Sequence, residues 1–168
     1  PEGRIVVSLG GADPTQLTYP IAKLLLDSDD VDLRLAVGVA NPRRDELIHL
    51  AETNPRAALD PGDLVGSLLW ADIAVIGAGT TLWEVGHLGI PAVAVIAVDN
   101  QVQGGRAAAE AGFVDAVDLR DGGRAEDASA AAVRLLHDRA RAQAMARRGA
   151  ALFDGHGAER VAHRILTS

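Results

Sequence analysis

Short apolar runs alternate along the chain with stretches whose apolar residues recur every three or four positions. Ile5-Val6-Val7-Ser8-Leu9 is a nearly unbroken apolar run closed by Gly10-Gly11, the pattern of a strand covered on both faces. Asp13-Pro14 supplies a helix start, aspartate capping the free amides and proline taking the first helical position. The helix predicted there carries Leu17, Ile21, Leu24 and Leu25 on one face and stops near Asp27-Ser28. Leu33 to Val37 reads as a second strand, and Asn41-Pro42 opens a helix with Leu47, Ile48 and Leu50. A short strand at Ala57-Ala58-Leu59, a Pro61-Gly62 turn and a helix from Asp63 to Trp70 follow. Ile73-Ala74-Val75-Ile76 is the most strand-like stretch. The turn Gly77-Ala78-Gly79 then enters a helix that Gly89 ends near Leu88. Ile90 to Ile96, a helix from Gln101 to Ala111 and a weaker strand at Val114-Val117 complete the alternation. From Ala125 onward the chain reads as helix, broken at Gly149 and at Gly155-His156-Gly157.

Strand and helix alternating through short links imply parallel strands joined by right-handed crossovers, hence a Rossmann-like doubly wound α/β sheet. Ligands of such sheets bind beyond the carboxyl ends of the strands, which directs attention to the loops after Leu9, Val37, Leu59, Ile76 and Ile96. The 168 residues suit one domain spanning 1–168. The chain starts at Pro1 rather than Met, with only Glu2, Gly3 and Arg4 before the first strand, as expected of a domain taken from a longer protein.

Composition removes several function classes. Apolar residues at 48% and charged residues at 23% are ordinary for a globular chain. The net charge is −7 and the basic residues are dispersed, unlike a nucleic-acid groove, which lines cations along one face. A single phosphorylated ligand stays possible, because helix N-termini hold phosphate without cationic side chains. With no cysteine, disulfides, thiolate metal sites and cysteine nucleophiles are excluded. No apolar run approaches a membrane span and no signal peptide opens the chain, so a soluble cytoplasmic protein is expected.

Three loops carry candidate chemistry. In Gly77-Ala78-Gly79-Thr80-Thr81-Leu82-Trp83-Glu84 the glycines permit a sharp turn and close approach of a ligand. Thr80 and Thr81 offer amides and hydroxyls at a helix N-terminus, where the dipole favours an anion such as a pyrophosphate. Glu84, one turn on, would accept two hydrogen bonds from a ribose diol. Thr81-x-x-Glu84 is equally the spacing of a capping box. Gly10-Gly11-Ala12-Asp13-Pro14 places amides and a carboxylate at the same sheet edge, or is simply a turn with a good helix cap. Asp99-Asn100-Gln101 would reach a sugar's hydroxyls, although helix capping by Asp99 or Asn100 accounts for two of the three.

Other chemistries lack their residues. Gly77-x-Gly79 continues to Leu82 rather than glycine, and the second strand ends Val37-Gly38-Val39-Ala40 without the carboxylate that holds a dinucleotide's ribose; nicotinamide cofactors and methyl donors are disfavoured. Lys23 is the only lysine and no P-loop surrounds it. His49, His87, His137, His156 and His163 show no metal-ligand spacing, and no Gly-x-Ser-x-Gly elbow exists. No metal, cofactor or catalytic residue is assigned. His87 reads as a partly exposed helix residue and His156 as part of a cap.

Taken together, Ser8-Leu9-Gly10-Gly11-Ala12-Asp13-Pro14, Gly77 to Glu84, Gly89-Ile90-Pro91 and Asn100-Gln101 resemble the C-terminal domain of GT-B-fold enzymes. The resemblance is to the UDP-sugar hydrolase branch of pseudaminic acid and spore-coat polysaccharide biosynthesis, related to the glycosyltransferases of the peptidoglycan lipid precursor. It runs from about Ile5 to Val117, with a further match in Gly155-His156-Gly157-Ala158-Glu159-Arg160.

The resemblance implies roles. Glu84 would hold the ribose of UDP. Gly79, Thr80 and Thr81, continuing from Gly77 and Ala78, would face the diphosphate. Gly10 and Gly11, with Asp13 in the same loop, would lie across the cleft, and Asn100 and Gln101 would approach the sugar or reacting centre. The uracil would sit near the loop after Leu59, read by backbone groups. It also implies that the general base is a histidine on an N-terminal domain of the same enzyme, outside this chain. The expected partner is therefore UDP or a UDP-sugar together with that domain, in a hydrolase of surface polysaccharide or nonulosonic acid synthesis. The donor domain of a glycosyltransferase and a non-catalytic nucleotide-sugar module are the alternatives.

Overall fold

The computed structural model describes residues 3–60 and 62–167; Pro1, Glu2 and the Pro61 half of the expected Pro61-Gly62 turn lie outside the described residues. Six strands, β1 (Arg4–Ser8), β2 (Asp32–Leu35), β3 (Ala57–Leu59), β4 (Ile73–Gly77), β5 (Ala92–Ile96) and β6 (Asp115–Asp118), form one sheet in the order β3-β2-β1-β4-β5-β6. Every pairing is parallel. The helices are α1 (Thr18–Leu26), α2 (Arg44–Thr53), α3 (Leu64–Trp70), α4 (Thr81–Leu88), α5 (Val102–Glu110), α6 (Ala125–His137), α7 (Arg139–Leu152) and α8 (Gly157–Leu166).

Period-two alternation divides the strands between two cores. Ile5, Val7, Leu33, Leu35, Ile73, Val75, Val93 and Val95 face α1 and α6. Val6, Ala74, Ile76, Ala92, Ala94 and Ile96 face α3, α4 and α5. The alanines on that second face bring helices close to the sheet, and Ala128, Ala131 and Ala132 do the same for α6 on the first. That packing accounts for part of the alanine content of the last third of the chain.

Several boundaries differ from the sequence expectation. Asp13-Pro14 does not open α1, which starts at Thr18 behind a left-handed turn at Gln16 (φ +57°). The buried face of α1 is Ile21, Ala22, Leu25 and Leu26, with Leu24 only half-buried. Asn41 precedes α2 by a turn, its Oδ1 accepting the Arg43 amide at 2.8 Å. Gly149 does not break a helix: α7 runs through it, and the break falls at Asp138, whose side chain accepts the Arg141 amide. Gly149 serves close packing instead, because a Cβ there would come within 2.9 Å of the Gly86 carbonyl on α4. The expected break at Gly155-His156-Gly157 separates α7 from α8. Arg160 makes two hydrogen bonds to Asp154 across that turn, which hold the Asp154 carboxyl down at about 2. Helix α8 buries no residue. Among the described residues no helix is long and apolar enough to cross a membrane.

Candidate functional site

The strand order reverses between β1 and β4, so the loops after these two strands part to opposite faces and leave a crevice at the carboxyl edge. The three candidate loops follow β1, β4 and β5, which are adjacent in the sheet. They come together at Gly77, where a Cβ would lie 3.4 Å from the Leu9 carbonyl oxygen and 3.6 Å from Gln101 Nε2.

The loop after β4 is built without caps. Gly77 and Ala78 are buried, and the Ala78 amide donates to the Val95 carbonyl at 2.9 Å. Thr80 occupies the N-cap of α4 with no side-chain bond to the backbone, so Thr81 and Glu84 form no capping box. Leu82 and Trp83 donate back to the Gly79 and Thr80 carbonyls, while the amides of Gly79, Thr80 and Thr81 find no acceptor among the described residues. Neither Gly77 nor Gly79 is left-handed, so the turn itself does not require glycine. Nor does packing: nothing lies within 4 Å of where a Gly79 Cβ would sit, which leaves that space open to a ligand. Glu84 is exposed in the first turn of α4 and lines a groove of about 380 Å³ with Trp83, His87, Phe153, Gly155 and Arg160. His87 Nδ1 lies 3.0 Å from the Phe153 carbonyl, so this nitrogen carries the proton.

The loop after β1 is held by its own side chain. Asp13 is buried; its Oδ1 accepts the Leu17 amide and the Thr15 hydroxyl, each at 3.2 Å, and its Oδ2 accepts the Thr18 amide at 2.8 Å. Those bonds cap α1 from four and five residues away and turn the carboxylate inward, whereas Gly10 and Gly11 are exposed with open space at both Cβ positions. Gly38, beyond β2, backs this loop: its Cβ would fall 2.1 Å from the Gly11 carbonyl oxygen. Sequence reasoning weighed Gly38 only for the carboxylate missing beside it.

Beyond β5, residues Asp99–Gln101 make one 3-10 turn in which neither Asp99 nor Asn100 acts as a cap. Asp99 pairs at 2.6 Å with Arg120, which also takes both oxygens of Asp118. Hydrogen bonds donated to these two carboxylates, Asp118 first, hold the Arg120 guanidinium above its ordinary value, and Arg120 in turn lowers Asp118. Asn100 is exposed, and Gln101 is half-buried with Oε1 on the Ala97 amide at 2.8 Å. Among the described residues no group of three or more His, Cys, Asp or Glu is arranged to hold a metal ion.

No family model matches the chain. Its sequence is similar to the spore coat polysaccharide biosynthesis protein SpsG of Bacillus subtilis, at 27% identity over 113 residues. That match covers 64% of this chain and 33% of SpsG, so the chain spans about a third of its relative's length. Acinetobacter baumannii MurG superposes with a TM-score of 0.74 at 19% identity, over 98% of this chain and 52% of that one. The UDP-GlcNAc 2-epimerase of Neisseria meningitidis, solved bound to UDP-GlcNAc, superposes with a TM-score of 0.74 at 14% identity, over 99% of this chain and 45% of its own. The architecture is thus that of one GT-B half-domain.

Proposed function

We propose that this chain is the nucleotide-binding half of a two-domain enzyme acting on a UDP-sugar, a hydrolase in surface polysaccharide synthesis. The observation that carries the reading is the loop after β4. Three amides without internal acceptors stand at the start of α4, with an exposed carboxylate one turn along it and no capping box to occupy either. Amides at a helix N-terminus suit the diphosphate, and Glu84 suits the ribose diol. Gly10 and Gly11 form the opposite wall. The general base comes from the other domain, which also excludes water from the closed cleft. The donor domain of a glycosyltransferase is the second reading, supported by the likeness to MurG; in the longer protein, sugar released to water rather than to an acceptor separates the two.

Calorimetric titration of the chain with UDP, repeated on Glu84→Ala, tests the reading. UDP is expected to bind more tightly than other nucleoside diphosphates, and the variant to lose about 1–3 kcal/mol, the range for hydrogen bonds that include a charged partner. A folded wild-type chain showing no heat and no thermal shift at millimolar UDP would overturn it.

A further inference from the structure

The carboxamide of Gln101 has its orientation decided within the chain. Its Oε1 accepts the Ala97 amide at 2.8 Å. Only the oxygen can accept from an N–H, so Nε2 must lie on the other side. That side faces the ends of two other strands, since the Cβ position of Gly77 is 3.6 Å from Gln101 Nε2 and 3.4 Å from the Leu9 carbonyl oxygen. The side chain therefore reaches from the loop after β5 across the end of β4 toward β1. Nε2 has no acceptor among the described residues. Gln101 is only half-buried and Nε2 is not among the fully buried polar side-chain atoms, so its N–H groups are open to a ligand.

The neighbouring groups are of the same polarity. The amides of Gly79, Thr80 and Thr81 are unpartnered, as are those of Gly10 and Gly11, and none of the residues of the three loops from Gly10 to Pro14, Gly77 to Glu84 and Asp99 to Gln101 is cationic. A sugar hydroxyl both gives and takes hydrogen bonds, whereas this cradle of amides and the Gln101 carboxamide nitrogen gives them, which suits an oxyanion. The Asp13 and Asp99 carboxylates are bonded within the chain, and Glu84 stands a turn along α4. Resting on the nucleotide reading above, we infer that Gln101 is a ligand of the diphosphate, a neutral donor aimed by Ala97, and that the sugar is left to the exposed Asn100. This divides two neighbouring residues that the family resemblance places together near the sugar or the reacting centre.

Gln101→Glu tests the division. Glutamate keeps the shape and the acceptor for the Ala97 amide, and replaces only the Nε2 donor by an oxygen. Gln103→Glu, exposed on α5 two residues away, introduces the same charge outside the cradle. Affinities for UDP and for uridine are read by amide chemical-shift titration of the 168-residue chain, which reaches the millimolar range, and folding by thermal melting. Gln101→Glu is expected to weaken UDP about 10- to 100-fold, the loss of a hydrogen bond to a charged group. Uridine binding and the melting temperature should be unchanged, and Gln103→Glu should bind UDP like the wild type. UDP affinity unmoved by Gln101→Glu would overturn the inference, as would equal losses for UDP and uridine, which mark a purely structural strut. Equal weakening by both variants would reduce the effect to long-range charge and overturn it too. Failure of the wild type to bind UDP at all would instead sink the nucleotide reading beneath it.

Discussion

The loops after β1 and β4 face each other across the crevice and reach their shapes by opposite means. In the first, Gly10 (φ +94°), Asp13 (φ +37°) and Gln16 (φ +57°) all take left-handed backbone angles, at a cost of ~1–3 kcal/mol for each non-glycine residue. The buried Asp13 carboxylate offsets that cost by accepting three hydrogen bonds. In the second loop no residue from Gly77 to Thr81 leaves the ordinary backbone regions, and no side chain caps the helix. The first loop fixes its shape through its own side chain and leaves only the Gly10 and Gly11 amides open, whereas the second has no side-chain bond of its own and keeps three successive amides that only solvent or a ligand can satisfy. In the proposed function, then, the β1 loop is a rigid wall with two open amides and the β4 loop supplies most of the contacts.

The largest expected effect follows from removing what the first loop depends on. Asp13→Ala leaves the Leu17 and Thr18 amides unpartnered at the start of α1 and the strained residues uncompensated. A loss of about 3 kcal/mol in urea unfolding is expected, within the range for hydrogen bonds to a charged group. Thr81→Ala in the second loop, which removes no internal bond, should cost less than about 0.5 kcal/mol. Similar losses for the two would erase the contrast.

Gly38→Ala strikes the same wall from behind. The new Cβ would overlap the Gly11 backbone, with its carbonyl oxygen at 2.1 Å and its Cα at 2.5 Å, so one of the two loops must move. Destabilisation of about 2 kcal/mol is expected, in the range for overpacking. UDP affinity should fall as well under conditions where the variant is fully folded. Normal affinity in the folded variant would show that Gly11 does not form part of the ligand's wall.

These contrasts also mark what could be read from the residues. The β-branched runs of β1, β4 and β5, each bounded by glycine or proline, are local signals, and the adjacency of the three loops follows from the connection rules of parallel sheets. Asp13 was legible as a cap but not as one acting four and five residues away, because the left-handed turn at Gln16 depends on the folded loop. Thr81 and Glu84 have capping-box spacing, yet the helix begins so that Thr80 holds the cap position. Gly149 looked like a helix break; its meaning lies in α4, sixty-three residues earlier in the chain, where the Gly86 backbone needs the room. The orientation of Gln101 and the backing role of Gly38 are long-range facts with no periodic trace.

Gly79→Ala carries the smallest structural effect and sharpens the comparison most. Gly79 has an ordinary φ and nothing within 4 Å of its Cβ position, so alanine meets neither strain nor overlap. Stability should shift by less than about 1 kcal/mol, and upward if the stiffer unfolded chain dominates. Gly10→Ala, at φ +94°, should be destabilised by contrast. If the space over Gly79 is where the diphosphate lies, the added methyl occupies it, and UDP binding should be lost from a protein that melts like the wild type. Intact binding would mean that Gly79 is merely an exposed turn residue, and the site would then have to be sought on the Glu84 groove alone.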